Sequence, residues 1–178
     1  MRVITGSARG RSLQTLPGAA TRPTAEKVKE AVFSAIQFDV EGRRVLDLFA
    51  GSGQLGIEAL SRGAASAVFV DASRQAAEVV RANLQATGLT HNAVVLCRKA
   101  MEYVSCCPEQ FDIVFLDPPY GLDLLPQLLP LLPRLLSPAA VVICEHAYGQ
   151  SLPSSFGDFV AGNTRKYGKI GVTMYRKG

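Results

Sequence analysis

Short apolar runs alternate with amphipathic segments along most of the chain. The apolar runs predict β-strands at residues 44–49, 67–70, 93–97, 111–116 and 140–145. The segments between them predict helices near residues 53–62, 73–87, 100–105 and 122–136. Two last strands, near 158–166 and 169–176, follow without a helix between them, and Gly168 allows a tight antiparallel hairpin there. The alternation therefore predicts an α/β fold with a doubly wound, mostly parallel seven-stranded sheet and an antiparallel last strand.

The amino-terminal segment follows a different pattern. Residues 2–16 alternate around Gly6 and Gly10, which predicts a small β-hairpin with Leu13 and Leu16 turned inward. Thr24 is typical of a helix cap, and apolar residues then recur at the helical period as far as residue 37. We expect a single domain over residues 1–178, with a basic hairpin arm at 1–23 and a Rossmann-like core at 24–178.

The stretch from Leu122 to Leu136 is the richest in leucine, but it also contains Pro126, Pro130 and Pro133. Proline removes a backbone donor and clashes with the preceding turn, so one regular helix is excluded. We expect a kinked or broken helical crossover that packs on the sheet. A partner-binding surface is the alternative interpretation.

Length and composition narrow the class of protein. The chain has 178 residues, which suits one domain with a sizeable core. Its four cysteines have no C-x-x-C spacing and are accompanied by only two histidines, so we expect no metal and buried free thiols in a reducing cytosol. No apolar run has the length of a signal peptide or the roughly 18 residues that span a membrane. These features predict a soluble, cytoplasmic protein.

The charges are unevenly distributed. Residues 1–24 and 163–178 together carry nine basic side chains and no acidic one, whereas residues 25–162 carry ten basic and fifteen acidic side chains. Basic ends around an acidic centre suggest a polyanionic substrate that approaches from one rim. Ordinary solvated charge at the termini is the alternative.

A nucleotide-binding turn follows the first predicted strand. Glycines 51, 53 and 56 fit the pattern G-x-G-x-x-G, and Asp71 ends the next strand at a spacing typical of a residue that binds ribose hydroxyls. Asp47 lies inside the first strand, where its charge opposes a pyrophosphate and suits an ammonium group. S-adenosylmethionine therefore fits these residues better than NAD. Alternatively, Asp47 caps the following helix or pairs with Arg43 or Arg44.

The residues Asp117-Pro118-Pro119-Tyr120 follow the fourth predicted strand and suggest a site that methylates an exocyclic amine. The lone pair of an aromatic amine is delocalised into the ring, so the amine must be oriented rather than deprotonated. A carboxylate oxygen of Asp117 and the carbonyl of Pro118 can accept its two hydrogens, and Tyr120 can stack on the base. The alternative is a strand end followed by a Pro-Pro turn.

The block at residues 47–63, Asp117-Pro118-Pro119-Tyr120 and Thr21-Arg22-Pro23-Thr24 together resemble the RsmD family, bacterial 16S rRNA (guanine(966)-N(2))-methyltransferases of the small ribosomal subunit. The resemblance runs essentially end to end. It implies a class I S-adenosylmethionine-dependent methyltransferase, monomeric and metal-free, whose partner is 16S rRNA.

The resemblance also assigns residues to roles. The implied cofactor-binding residues are Asp47, Phe49, Ala50, Gly51, Ser52, Gly53, Asp71, Ala72, Ala100, Met101 and Asp117. The implied catalytic residues are Asp117, Pro118, Pro119 and Tyr120. The residues implied to contact RNA are Arg9, Arg11, Arg22, Thr24 and Tyr120.

Two positions depart from the family pattern, and rival functions stay open. Gln54 replaces a small residue, and Arg98-Lys99 stands where an acidic residue is common, so the adenine is expected to be bound by backbone around Ala100 and Met101. The enzymatic rival is an adenine-N6 methyltransferase of DNA or RNA, and the other is a ribosome-binding or assembly factor without turnover. Glu145 and His146, at the end of the fifth predicted strand, either orient the substrate or have structural roles.

Overall fold

Five parallel strands form the centre of one mixed sheet. The computed structural model describes residues 1–18 and 23–178, and the side chains of the second range from residue 25 onward. The strands are β1 (Arg44–Asp47), β2 (Ser66–Asp71), β3 (Ala93–Cys97), β4 (Phe111–Leu116), β5 (Leu136–Ala147), β6 (Ser155–Phe156), β7 (Phe159–Ala161), β8 (Arg165–Tyr167) and β9 (Ile170–Lys177). Their order is β3-β2-β1-β4-β5-β9-β7-β6, and β9 runs antiparallel to β5. The predicted parallel sheet with an antiparallel last strand is confirmed.

Five α-helices accompany these strands within the described residues. They are α1 (Pro23–Ala35), α2 (Gln54–Ser61), α3 (Arg74–Thr87), α4 (Ala100–Cys106) and α5 (Leu124–Leu128). The amino-terminal segment and residues of α1, α2 and α3 pack in one hydrophobic cluster, and α4, α5 and residues of β6 and β7 pack in a second. The sheet therefore lies between two layers, as its parallel strands require.

The segment near residues 158–166 was predicted as one strand, and this prediction is wrong. Both β7 and β8 pair with β9, but three residues separate Ala161 from Arg165 while only two separate their partners Tyr175 and Val172. The extra residue breaks the ladder in the manner of a β-bulge. With the short β6 added, the sheet has nine strands instead of seven.

The amino-terminal hairpin is also less regular than predicted. It contains one antiparallel bridge, Arg2 with Ser12, and no extended ladder. The ladder stops after Val3 because the next backbone donors bond to α2: the N–H groups of Ile4 and Thr5 donate to Glu58 at 2.8 and 3.0 Å. Leu13 is buried and Leu16 is partly buried, as expected. The arm is thus fixed to the core rather than standing apart from it.

Glu58 is the centre of that attachment. Its side chain is fully buried and accepts a third hydrogen bond from Nε of Arg62 at 2.9 Å. Nζ of Lys29 lies 3.6 Å from Oε2 of Glu58 and donates to the carbonyl of Arg2 at 2.8 Å. Burial lowers the pKa of Lys29, and the adjacent Glu58 opposes this shift. Buried charges persist when they are paired and hydrogen-bonded in this way.

The leucine-rich crossover is broken near Pro130 and Pro133, whereas Pro126 lies within α5. Helix α5 ends at Leu128, and two 3₁₀ turns, Leu129–Leu131 and Pro133–Leu135, lead into β5. The leucines at 125, 128, 129, 132 and 135 are buried in the second cluster. The predicted broken crossover is confirmed, and the buried leucines make it part of the core.

The cysteines are only partly as expected. All four are free thiols, but Cys97 and Cys106 are exposed whereas Cys107 and Cys144 are buried. The prediction of buried thiols is therefore wrong for Cys97 and Cys106, which lie at the end of an edge strand and the end of a short helix.

None of the helices in residues 1–18 and 23–178 combines the length and apolar character needed to cross a membrane.

Candidate active site

A cavity of about 800 Å³ opens at the carboxyl ends of β1, β2, β4 and β5. Open α/β sheets bind ligands at this position, where the strand order reverses beside β1. The cavity brings together nearly all residues predicted to hold the cofactor or the amine: Asp47, Phe49, Ala50, Gly51, Ser52, Asp71, Ala72, Ala100, Met101, Asp117, Pro118, Pro119 and Tyr120. The glycine turn after β1 and the four residues after β4, which are far apart in the sequence, therefore line the same cavity.

Gly53 does not line the cavity but shapes the turn beneath it. It has φ 80° at the amino end of α2, a left-handed conformation that favours glycine. Gly56 serves a different purpose, because a Cβ atom there would lie 2.3 Å from the ring of Phe69 on β2. The first residue shapes the loop, and the second lets α2 approach the sheet closely.

Asp47 is 2% exposed at the base of the cavity. Its Oδ2 accepts a hydrogen bond from the N–H of Gly56 at 3.0 Å, so the capping role left open by the sequence is present. Arg44 instead pairs with Glu109. Burial raises the pKa of Asp47 to about 7, the Gly56 N–H opposes this, and Asp117 and Asp71 add to it. A cation in the cavity would stabilise the ionised carboxylate.

Asp71 holds the glycine turn from the neighbouring strand. Its Oδ2 accepts from the N–H of Gly51 at 2.9 Å, and its Oδ1 accepts from the N–H of Ser73 at 2.8 Å. Each carboxylate oxygen has a second lone pair, so the side chain can also accept from hydroxyl groups in the cavity. Its binding of a ribose stays a prediction.

The four residues after β4 form the opposite part of the wall. Asp117 is partly buried and Pro118 is buried, whereas Pro119 and Tyr120 are exposed at the opening. Burial raises the pKa of Asp117 to about 6. The strand does end at Leu116, but the residues of the turn that follows line the 800 Å³ cavity, so the turn is more than a chain reversal.

Glu145 and His146 lie inside β5, which continues to Ala147 rather than ending at residue 145. Glu145 lines the cavity beside Asp117, and burial followed by the charge of Asp117 raises the pKa of Glu145 to about 8. His146 is 2% exposed and bonds to the hydroxyl of Thr173 at 2.8 Å and to the carbonyl of Ala147 at 2.9 Å. The structure supports a site position for Glu145 and a structural role for His146.

Sequence reasoning missed a second group of lining residues. They come from the amino-terminal arm and the crossover: Met1, Thr15, Leu16, Leu122, Leu124 and Leu128. Lys99, from the pair that departs from the family pattern, also lines the cavity. No local motif marks these residues, because only the folded chain brings them to the same opening.

Gln54 is the lining residue with an unsatisfied polar atom. Its Oε1 is buried and accepts no hydrogen bond from the described residues. A buried acceptor without a donor costs about 1–3 kcal/mol. The α-ammonium of S-adenosylmethionine is a donor of the required kind. With the carboxylates of Asp47 and Asp71 and the apolar walls of Phe49 and Met101, the cavity fits this cofactor.

The predicted RNA contacts are less well tested. Arg9 and Arg11 are exposed on the arm, and Arg22 and the side chain of Thr24 lie outside the described residues. The carboxyl-terminal basic residues do not share one rim. Val172, near the start of β9, has Arg165 of β8 as its strand partner on one side and Glu145 of β5 on the other. Arg176 lies near the other end of β9 and forms an ion pair with Asp39 at 2.9 Å.

Comparison with known proteins places the whole chain in one group. The family model described as Conserved hypothetical protein 95 matches residues 1–176. The chain is 42% identical to YlbH of Bacillus subtilis, over 99% of both chains. It is 32% identical to Ribosomal RNA small subunit methyltransferase D of Escherichia coli K12, over 99% of this chain and 90% of that protein.

A solved structure agrees with the sequence comparison. The structure of yhhF from Escherichia coli has a TM-score of 0.86 with this chain at 31% sequence identity, and the alignment covers 99% of this chain and 97% of that one. The similarity therefore includes the amino-terminal arm as well as the sheet.

Proposed function

The chain belongs to the RsmD family, and from this premise we propose that it transfers a methyl group from S-adenosylmethionine to the exocyclic N2 amine of a guanine in the 16S rRNA of the small ribosomal subunit. The observation that carries the proposal is the position of Asp117 and Pro118, in the same cavity as the glycine turn and Asp71. When a motif suited to hold an amine and a turn suited to bind a nucleoside line one cavity, their two ligands are close enough to react with each other.

The residues around the glycine turn would hold the cofactor, which supplies an electrophilic methyl group on a sulfonium. Asp71 is placed to accept from the ribose hydroxyls, and Ala100 and Met101 would contact the adenine. Asp47 and Gln54 face the same cavity and would receive the α-ammonium group. Asp47 offers a carboxylate, and Gln54 offers a side-chain carbonyl oxygen that accepts no hydrogen bond from the described residues.

The residues after β4 would hold the acceptor. A carboxylate oxygen of Asp117 and the carbonyl of Pro118 each accept one hydrogen of the amine, which turns its lone pair toward the methyl group. Tyr120 is 56% exposed at the opening and can stack on a base that has left its helix. Formation of the N–CH₃ bond would be matched by cleavage of the sulfonium S–CH₃ bond, with S-adenosylhomocysteine as the leaving group. The methylated amine would lose its extra proton to solvent or transiently to Asp117, whose pKa of about 6 suits brief protonation.

The substrate would be bound largely through its phosphates. Arg9 and Arg11 are exposed on the arm, and Arg165 and Lys166 lie on β8 near the Glu145 end of the sheet. Lys and Arg side chains bind RNA backbone without regard to sequence. We propose that the protein acts on this substrate in the cytoplasm, as a monomer.

The other two functions considered from the sequence are not favoured. The Escherichia coli relative is named as a small-subunit rRNA methyltransferase, which supports rRNA over DNA as the substrate. Asp47, Asp71 and Asp117 all line the cavity, which supports turnover over a purely binding role.

The test is transfer of labelled methyl from S-adenosylmethionine to small subunits that lack the modification, followed by nucleoside analysis of the digested rRNA. We expect N2-methylguanosine. Asp117→Ala should lower kcat at least about 100-fold with little change in cofactor affinity, whereas Asp71→Ala should mainly weaken cofactor binding. Asp158→Ala is the matched control, because Asp158 is exposed and outside the cavity.

Two results would overturn the proposal. N6-methyladenosine as the product would show that the enzyme modifies a different base. If the protein binds the cofactor but transfers no methyl group to small subunits, then 16S rRNA in the small subunit is not its acceptor.

A further inference from the structure

Glu145 is a titratable residue of the cavity to which the proposed reaction gives no role. The pairing of β4 with β5 sets Leu116 beside Cys144, so the next residue on each strand, Asp117 and Glu145, stand next to each other at the same edge. Both line the main cavity. A side chain so close to the amine-holding carboxylate is in reach of the same base.

The surroundings of Glu145 place it beside the residues that follow β4. It lines a narrow groove formed with Pro118, Pro119 and Tyr120, and a side cavity of about 90 Å³ shared with Asp117 and Gln54. Asp71, Ala72, Ala100 and Met101 line neither of these spaces. Glu145 is therefore close to the turn proposed to hold the amine, lies between that turn and Gln54, and is away from the residues around the nucleoside of the cofactor.

A carboxylate beside the amine can distinguish one base from another. In guanine, the exocyclic amine is flanked by two ring nitrogens: N1 carries a hydrogen and donates, and N3 has a lone pair. In adenine and cytosine, the single ring nitrogen beside the amine has a lone pair and accepts. A carboxylate on the N1 side of guanine complements its N1–H, whereas the same carboxylate repels the lone pair in adenine or cytosine.

Resting on the function proposed above, we propose that Glu145 is the residue that selects guanine: a side-chain oxygen of Glu145 accepts a hydrogen bond from N1–H while Asp117 and Pro118 hold the N2 amine. Asp117 alone recognises an amino group on any base. The second acceptor converts recognition of an amine into recognition of guanine.

The electrostatics of the pair agree with this role. Burial, with the charge of Asp117 added, raises the pKa of Glu145 to about 8. A hydrogen bond from N1–H stabilises the ionised form, so the right base lowers the cost of two adjacent carboxylates. A base with a lone pair at this nitrogen instead favours the protonated acid, so the selection applies above about pH 8, where Glu145 is ionised.

The experiment changes the hydrogen-bonding group on each side of the contact. Small subunits are assembled from 16S rRNA that carries either guanosine or 2-aminopurine riboside at the methylated position. The analogue keeps the 2-amino group but has a lone pair at N1 and lacks O6, and the comparison of wild-type and variant ratios cancels the effect of the missing oxygen. Methyl transfer to each is measured at pH 8.5 with the wild-type enzyme and with Glu145→Gln, whose amide offers a donor to that lone pair.

The expected result is a change in the preference for guanosine over 2-aminopurine. The wild-type ratio of kcat/KM should fall at least about 10-fold in Glu145→Gln, since one hydrogen bond to a charged group corresponds to roughly 10-fold or more. Glu78→Gln, the same change at an exposed position on α3, should keep the wild-type ratio. Affinity for S-adenosylhomocysteine and the melting temperature check that each variant is folded.

An equal change for both acceptors in Glu145→Gln would overturn the assignment, because it would show that the residue does not sense N1. This outcome is distinct from failure of the proposed function itself. Absence of N2-methylguanosine with the wild-type enzyme would overturn both.

Discussion

Gly56→Ala tests whether the close approach of α2 to the sheet supports the cofactor site. In the structure, an added Cβ would lie 2.3 Å from Cε1 and 2.7 Å from Cζ of Phe69. Carbon atoms in contact are normally 3.5–4.0 Å apart, so either the helix or the ring must move by about 1 Å or more. Phe69 is fully buried and cannot turn away without displacing its neighbours.

The expected magnitude is the difference between two opposing effects. Alanine is favoured over glycine in a helix by about 1 kcal/mol, but overpacking a well-filled core costs typically 1–3 kcal/mol and occasionally more. Because the overlap is so large, we expect net destabilisation of roughly 1–3 kcal/mol. For a chain of this size, that corresponds to a fall of roughly 3–10 °C in melting temperature.

The same displacement of α2 should also weaken binding of the cofactor product. The N–H of Gly56 donates to Asp47 at 3.0 Å, so a displaced helix weakens this bond and shifts the glycine turn. We expect the affinity for S-adenosylhomocysteine, measured by calorimetry, to fall several-fold in Gly56→Ala. Thermal unfolding of the free protein, followed by scanning calorimetry, measures the loss of stability separately.

Gly162→Ala is the matched control, since a Cβ there meets only the carbonyl of Met174 at an ordinary 3.5 Å. It should change the stability by less than about 1 kcal/mol. Adding Phe69→Leu to Gly56→Ala should recover stability relative to the sum of the single changes, because the shorter side chain makes room. A melting temperature for Gly56→Ala equal to or above that of the wild type would refute the reasoning.

Three further predictions concern the buried polar groups. Glu58→Gln should destabilise the protein by roughly 3 kcal/mol in urea unfolding and speed amide exchange at Ile4 and Thr5, because a buried carboxylate that serves two cations and both amides is lost. Gln54→Leu should weaken binding of S-adenosylhomocysteine about 10-fold but leave 5′-methylthioadenosine unchanged, since only the first ligand carries the ammonium group. The pKa of Asp117, raised to about 6, predicts that kcat/KM falls by a further 10-fold or so per pH unit below pH 6 as this carboxylate is protonated, beyond any loss from protonation of Glu145 at higher pH, and that Asp117→Asn removes this lower component.

Each of these has a clear contrary result. Unchanged exchange at Ile4 and Thr5 in Glu58→Gln would mean that Glu58 does not fix the arm. Equal loss of both ligands in Gln54→Leu would show that the residue acts on the turn rather than on the ammonium group. A lower component that persists in Asp117→Asn would assign that titration to another group.

The order of elements could be predicted because it is encoded locally. Strand-length apolar runs and helical periodicity follow from the two repeats that backbone geometry allows, so β1 to β4 and α2 to α4 were found within two residues. The crossover predicted near 122–136 is helical only as far as Leu128, and β5 starts four residues before its predicted beginning. The glycine turn and Asp117-Pro118 were also identifiable, since their chemistry depends on neighbouring residues. The segment at 158–166 failed because a bulge is decided by pairing with β9, not by local pattern.

The sequence by itself determined the class of fold and the family, through patterns that run along the whole chain. It also identified the predicted cofactor-binding turn and the predicted amine-holding motif, because each of these lies within one short segment. Only the tertiary structure decided what surrounds them. It placed Glu145 beside Asp117 through the pairing of β4 and β5, left Oε1 of Gln54 unsatisfied in the cavity, and fixed the arm to Glu58. These contacts join residues far apart in the chain, and they exist only once the strands have chosen their partners and the core has closed.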